Sequence, residues 1–303
     1  MSVVSLLGSG PVAAAFTAAT RRRVRAVAYH AVEDATAFAA QLDWCSAAGY
    51  RTVTAAQIAA SLHGGAALPP RALWITFDDG DASVVRVGLP LLAARGMVAT
   101  AFLCGAWVGT TDAPWWQVVE AAVAPADLVR TRLALKAAPD DQRRARVAQM
   151  AEDLAARGAA VVGSQWTEAD VQTWLAAGND VGNHSWDHPC LDRCDDAEQR
   201  RQIEAAHDRL SALVGRPIDV FAWPNGDPSA AALTALRALG YRLVAECDHR
   251  LTDRRSDPFA VSRLKLDASV DVTRTRAILS GGHSAVFHVQ QRLRRKGPTN
   301  DVT

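Results

Sequence analysis

The 303-residue sequence predicts an α/β fold: a single (β/α) barrel, intact or distorted, of about seven parallel strands with one helical insertion. Two observations carry this expectation. A helical stretch repeatedly ends at glycine and a β-rich run follows, as in AAGYRTV (47–53), AARGMVATAFL (93–103), AAGNDVGNH (176–184) and ALGYRLVAE (238–246). Glycine suits the residue after a helix, which often needs a left-handed backbone. Polar side chains also gather where apolar runs stop, and that is where parallel β/α folds place their reactive groups.

Taken in order, the apolar runs place strands at Val24–Tyr29, Leu73–Phe77, Val98–Leu103, Asp180–Asn183, Val220–Ala222 and Tyr241–Ala245. Between them, Thr36 precedes a helical stripe at Phe38, Leu42 and Cys45. Thr167 and Asp170 form a capping-box pattern ahead of Val171, Trp174 and Leu175. The stretch 195–214 carries Ile203, Leu210, Leu213 and Val214 on one face and ends at Gly215, and Ser229 precedes Leu233 and Leu236. Residues 105–166 break the rhythm with Trp107, Trp115, Trp116 and a charged helical stretch at 139–157, and read as the helical insertion. The organisation expected is an N-terminal helical segment (1–23), a barrel (24–280) and a polar tail (281–303).

The bulk numbers exclude several classes. A formal charge of +1 offers no field for nucleic acid or an anionic membrane. Five scattered cysteines do not form a disulfide framework. No apolar run reaches 18 residues, so no membrane span is expected. Arg21, Arg22 and Arg23 follow the first apolar stretch instead of preceding it, the wrong order for a secretory signal, so a cytoplasmic location is expected, with peripheral membrane association left open.

Four strand ends carry chemistry: Tyr29-His30, Asp78-Asp79, His184 with His188, and Trp223-Pro224-Asn225-Gly226-Asp227. His184 and His188, at i and i+4 in GNHSWDHP, fall on one face of a helical turn and suit one ion. With one aspartate they make a two-His, one-carboxylate site, and a second carboxylate nearby serves as a base for water. Each piece also has a plain reading. Paired aspartates are common in turns and caps, and a His pair is often packing. Cys190 and Cys194 would turn the histidines into a structural His₂Cys₂ zinc site. Asp81 reads as a turn or cap residue, Trp115-Trp116 as cover for the insertion or as a sugar platform, and Arg263 as a brace for a loop or for substrate.

The motifs TFDDG (76–80), HSWDHP (184–189) and FAWPNGD (221–227), in that order, with YHAV (29–32) ahead and DPFAVSRLKL (257–266) behind, resemble the polysaccharide deacetylases, the carbohydrate esterase family 4 or NodB-homology group. The likeness covers roughly residues 24–270. It implies a distorted (β/α) barrel, one divalent metal (Zn²⁺, or Co²⁺, Ni²⁺ or Mn²⁺) and hydrolysis of the acetyl group of an N-acetylated sugar. By that resemblance Asp79, His184 and His188 are metal ligands, Asp78 is the base for metal-bound water, and the backbone N–H of Trp223 stabilises the oxyanion. Pro224, Asn225 and Trp186 are expected to touch substrate. Two departures stand out: no Arg lies ahead of the third motif, and the usual acid histidine has no clear match among His283 and His288, which leaves His30 as the expected acid. A degenerate glycan-binding barrel and an amidohydrolase of non-sugar amides are the alternatives.

Overall fold

The computed structural model describes residues 6–226 and 228–284. Its centre is a nine-stranded sheet in which every strand pair is parallel: β1 Arg25–Tyr29, β2 Arg51–Thr52, β3 Ala72–Asp78, β4 Ala99–Leu103, β5 Asp180–Asn183, β6 Val220–Ala222, β7 Leu243–Glu246, β8 Val261–Ser262 and β9 Leu264–Lys265. The order is β8-β7-β6-β5-β4-β3-β1-β9, with β2 on β3 as a side branch.

β8 and β9 therefore lie at opposite ends of the sheet, yet a single residue, Arg263, separates them in the chain. One short extended segment pairs with β7 through its first half and with β1 through its second, and so nearly closes the sheet into a barrel. The six strands expected from apolar runs are present, β5 and β6 with the expected bounds and the other four shifted by one or two residues at an end. The two-residue strands β2, β8 and β9 were missed because a run of two has no periodicity to read.

Helices from Ala35–Ala47 to Val272–Leu279 cover the outside. Their apolar faces meet the outward residues of the strands: Val27, Ile75, Phe77, Ala101, Val181, Phe221 and Val244 join Phe38, Leu42, Ile203 and Leu210 in one core. The inward residues Ala26, Trp74, Phe102, Ala222, Leu243 and Ala245 form a second cluster. This alternation is the period of two expected of strands. Gly49, Gly96, Gly178 and Gly240 follow helices and all have positive φ (75, 60, 80 and 79°), as the repeating pattern required. Thr167 and Asp170 form the expected capping box. Thr36 is not a cap: Asp34 accepts from the Ala37 N–H, and Thr36 lies inside the helix. The insertion folds as three helices, Trp115–Ala122, Pro125–Ala137 and Asp140–Ala156.

Candidate active site

Because all the strands are parallel, their C-terminal ends share one rim, and the loops after β1, β3, β5, β6 and β7 meet around a cavity of about 350 Å³. His30, Asp78, Asp79, His184, His188, Trp223, Asn225, His249 and Arg263 line it, and the insertion adds Trp115, Trp116, Arg132 and Lys136.

The two aspartates reach the cavity by different means. Asp78 continues the inward series Trp74, Thr76, Asp78 along β3. Asp79 would next point outward, but it adopts φ of 72°, and Gly80 follows at 74°. This pair of left-handed residues turns the second carboxylate back to the rim. A non-glycine residue at such φ is strained, and Asp is among the few that tolerate it. A side chain at position 80 would in addition press on Leu103 at 3.0 Å. Asp81 Oδ1 accepts from the Ser83 N–H (2.8 Å), which is the turn role expected of it. Ser83 Oγ accepts in turn from the Val32 N–H (2.9 Å), tying the His30 loop to the aspartate loop.

The HSWDHP segment is a loop, not a helical turn. Ser185 and His188 have φ of 71° and 56°. Side chains satisfy its backbone: Asn183 Oδ1 accepts from Ser185 N–H, Ser185 Oγ from His188 N–H, and Gln202 Oε1 from the N–H groups of Trp186 and Asp187. The loop brings the two imidazoles together with their centroids 4.9 Å apart.

Nε2 of His184 and Nε2 of His188 each lie 3.5 Å from Asp79 Oδ1. One donor atom from each of Asp79, His184 and His188 lies within 4.8 Å of the others, and neither Cys190 nor Cys194 belongs to the group. Cys190 instead accepts from Asn225 Nδ2 (3.3 Å), against the His₂Cys₂ reading. The donors fit a divalent cation. His184 Nδ1 is 2.8 Å from Ala222 O, so the hydrogen sits on Nδ1 and Nε2 presents its lone pair to the centre. Asp79 Oδ1 is buried and has no hydrogen-bond partner, a costly state unless a cation lies beside it. Burial pushes His188 down to about 3, keeping its ring neutral and its lone pair available. Burial also acts to lower His184, but the negative charges of Asp78 and Asp79 outweigh it and raise His184, so the centre attracts positive charge.

Asp78, 4% exposed, is gripped by Arg263: Nη1 lies 2.6 Å from Oδ1 and Nη2 2.9 Å from Oδ2. Arg263 is itself fully buried and also donates to Thr76 Oγ1 (2.9 Å). Burial works to raise the Asp78 carboxyl, but the guanidinium overrides it and holds the group below its ordinary range. The arginine absent from the third motif is thus matched by one at the barrel closure, with its fork on Asp78. The sequence signal for it was the DPFAVSRLKL segment, whose partner could be known only once the strand order was.

The other expected residues fall on both sides. His30 is exposed and lines the cavity; Asn225 lines it at φ of 59°. Pro224 is buried behind the wall and is not part of the lining. Trp186 is absent from the lining too: its ring lies within 3.0 Å of the space a side chain at Gly105 would fill. Trp223 lines the cavity and is 1% exposed, with its ring packed on Phe221, and its backbone N–H donates to Ala245 O (3.0 Å) and so is committed to the β6–β7 pairing, not offered to an oxyanion. His249 was missed, because its strand ends three residues earlier; its ring is 6.0 Å from that of His283. His288 and Asp227 lie outside the described residues. Trp115 is cover for the insertion, as one reading expected: it is 7% exposed, packs within the insertion core with Trp116 against it, and donates from Nε1 to His188 O (3.2 Å).

The insertion also braces the histidine loop. Arg144 grips Asp187 through two contacts of 2.5 and 2.9 Å and reaches Glu198 at 3.2 Å, while Gln202 donates to Asp187 at 2.7 Å. Arg144→Met is expected to weaken metal retention about tenfold, as loss of support behind a ligand does. After discounting for solvent at a half-exposed arginine, the stability loss is about 1 kcal/mol. Competition with a chelator and a melting curve measure the two; unchanged metal retention would refute the brace.

A profile of the polysaccharide deacetylase family matches residues 65–244. The poly-β-1,6-N-acetyl-D-glucosamine N-deacetylase of Escherichia coli (strain K12) is 34% identical over 96 residues, 28% of this chain and 14% of that protein, so the chain spans only a small part of the curated relative it matches. Among solved structures, IcaB from Ammonifex degensii aligns with a TM-score of 0.62 and 20% identity over 86% of this chain and 97% of that one. The deacetylase PplD of Streptococcus pyogenes, solved with acetate, aligns at 0.61 and 14% identity over 83% and 96%. These structures share the barrel. The family match takes in Asp78, Asp79, both histidines and Trp223, and with that order of motifs on those strand ends the chain belongs to the polysaccharide deacetylase family, although His30 and Arg263 join its cavity from outside the matched stretch.

Proposed function

We propose that the protein removes the acetyl group from an N-acetylated amino sugar by hydrolysis, with one divalent cation, Zn²⁺ before Co²⁺, Ni²⁺ or Mn²⁺, held by Asp79, His184 and His188. The observation that carries this reading is the inequality of the two adjacent carboxylates. Asp79 presents an unpartnered Oδ1 3.5 Å from both imidazole Nε2 atoms, while both oxygens of Asp78 are held by Arg263, with Oδ2 4.0 Å from His184 Nε2. One is arranged as a ligand and the other as an ionised base. A bound cation of this kind acidifies water and polarises a carbonyl.

Asp78 takes the proton of the attacking water, and Arg263 keeps Asp78 ionised and aimed while it does so. Trp223 and Asn225 wall the acetyl side of the cavity. His30, at the rim and open to solvent, donates the proton that the leaving amine needs. Arg263 supports turnover over a degenerate glycan-binding barrel, because the arginine whose absence suggested degeneracy has a counterpart on the same carboxylate.

Acetate release from N-acetylated mono- and oligosaccharides tests the roles. Asp78→Asn is expected to lower kcat by about 10²–10⁴ with metal content unchanged. Retained turnover would sink Asp78 as the base. In the same assay His30→Gln is expected to lose about 10²-fold; full activity there moves the acid's role to His249 on the same rim.

A further inference from the structure

The cavity wall carries four cationic side chains, Arg132, Lys136, Arg263 and Lys265, against two carboxylates, Asp78 and Asp79. This excess is local, since the whole chain is nearly neutral at +1. Arg263 is spent on Asp78. Arg132 reaches Glu120 at 3.1 Å, but its Nε is buried without a partner. Among the described residues, Lys136 and Lys265 have no carboxylate within 4.0 Å.

The two lysines come from unrelated parts of the fold. Lys136 ends the Pro125–Ala137 helix of the insertion, one turn beyond Arg132 and on the same face. Lys265 lies on β9, in the segment that closes the barrel. Both are exposed residues on the cavity wall. Burial of the stem is the main influence holding the Lys136 ammonium below its ordinary value; Lys265 and Arg132 add to it and Asp79 opposes it. Asp267, two residues after Lys265, is engaged by Ser269: its carboxylate accepts from Ser269 N–H (2.8 Å) and Ser269 Oγ (2.7 Å). Cations drawn together at a cavity mouth without a counter-charge cost stability, and an anionic ligand offsets that cost through charge-assisted hydrogen bonds.

We propose that the substrate carries an anionic group, a phosphate ester or a carboxylate, next to its acetamido sugar, and that Lys136 and Lys265 hold that group between the insertion and the barrel closure. This rests on the deacetylase reading for the sugar and its acetyl group, but not for the anion, which binding alone can test.

The test uses the zinc-loaded full chain carrying Asp78→Asn, so that no ligand turns over, with tryptophan fluorescence as the readout. The ligands are N-acetylglucosamine, its 1-phosphate and the corresponding 6-carboxylate, and the last two separate phosphate from carboxylate. The expected result is a Kd about tenfold lower for at least one anionic ligand, a gap that shrinks below about threefold at high salt and when Lys136→Gln and Lys265→Gln are added. Equal Kd values for all three ligands would overturn the proposal. So would an anion preference that survives loss of both lysines, since the anion then sits on the metal. Acetate release by the unmodified chain is followed in parallel. Release without any anion preference leaves the deacetylase reading standing and removes this one. A lysine-dependent preference with no release from any ligand does the reverse.

Discussion

Arg263→Met is expected to destabilise the protein by about 3–5 kcal/mol, because it strands the buried carboxylate of Asp78 without its partner. Asp78 and Arg263 are both buried, so solvent does not screen the loss. The pH dependence should change sign. In the native protein Arg263 holds Asp78 below its ordinary value of 3.8. The pair's contribution is therefore fully present above that value and is lost as pH falls through the lower folded pKa. Without Arg263, burial is the leading influence on Asp78 and raises it. Stability then declines as pH rises through the raised folded pKa, since ionising the buried group opposes folding. The acid limb of the activity profile, which needs Asp78 ionised, moves to higher pH for the same reason. Denaturant melts across pH, with kcat/KM profiles beside them, measure both. An unshifted limb would remove Arg263 as the residue that tunes the base. Arg263→Lys should recover part of the stability, though it loses the two-pronged grip.

His184→Ala is expected to abolish metal retention, from about one ion per chain to near none, and to lower kcat/KM on the order of 10³-fold. It should also cost stability of its own. The imidazole Nδ1 is bonded to Ala222 O at 2.8 Å, and removing it leaves a buried carbonyl unsatisfied, about 1–3 kcal/mol. His188→Ala separates the two effects. Its Nδ1 has no hydrogen-bond partner among the described residues, so metal should be lost as fully with a smaller drop in melting temperature of the metal-free protein. Elemental analysis and melting curves with and without chelator provide the comparison. Full metal content in either variant would refute the ligand set.

Much of the candidate site was legible before any coordinates. Asp78, Asp79, His184 and His188 stand at strand ends that apolar runs and helix-ending glycines mark out, and parallel strands bring such ends to one rim. The residues alone suggested one ligand and one base at this pair, and only the resemblance said which aspartate is expected to be which. Their physical cause, a left-handed Asp79 that turns its carboxylate back after an inward-facing Asp78, is a backbone property that composition does not reveal. The histidine spacing suggested one face of a helical turn, yet the same proximity arises in a loop held by Asn183, Ser185 and Gln202.

Local pattern by itself determined the α/β class, the six longer strands, the helical stretch within 105–166 and the histidine pair beside two strand-end aspartates, because apolar periodicity, capping residues and motif spacing act over a few residues at a time. Tertiary structure alone decided what depends on distant segments meeting. It nearly closed the barrel with strands too short to show a period. It set Arg263 against Asp78 across 185 positions, carried Trp186 and Pro224 out of the cavity lining, and faced Lys136 of the insertion toward the side of the cavity that Lys265 occupies. Such contacts follow from strand order and chain closure, which no window of sequence contains.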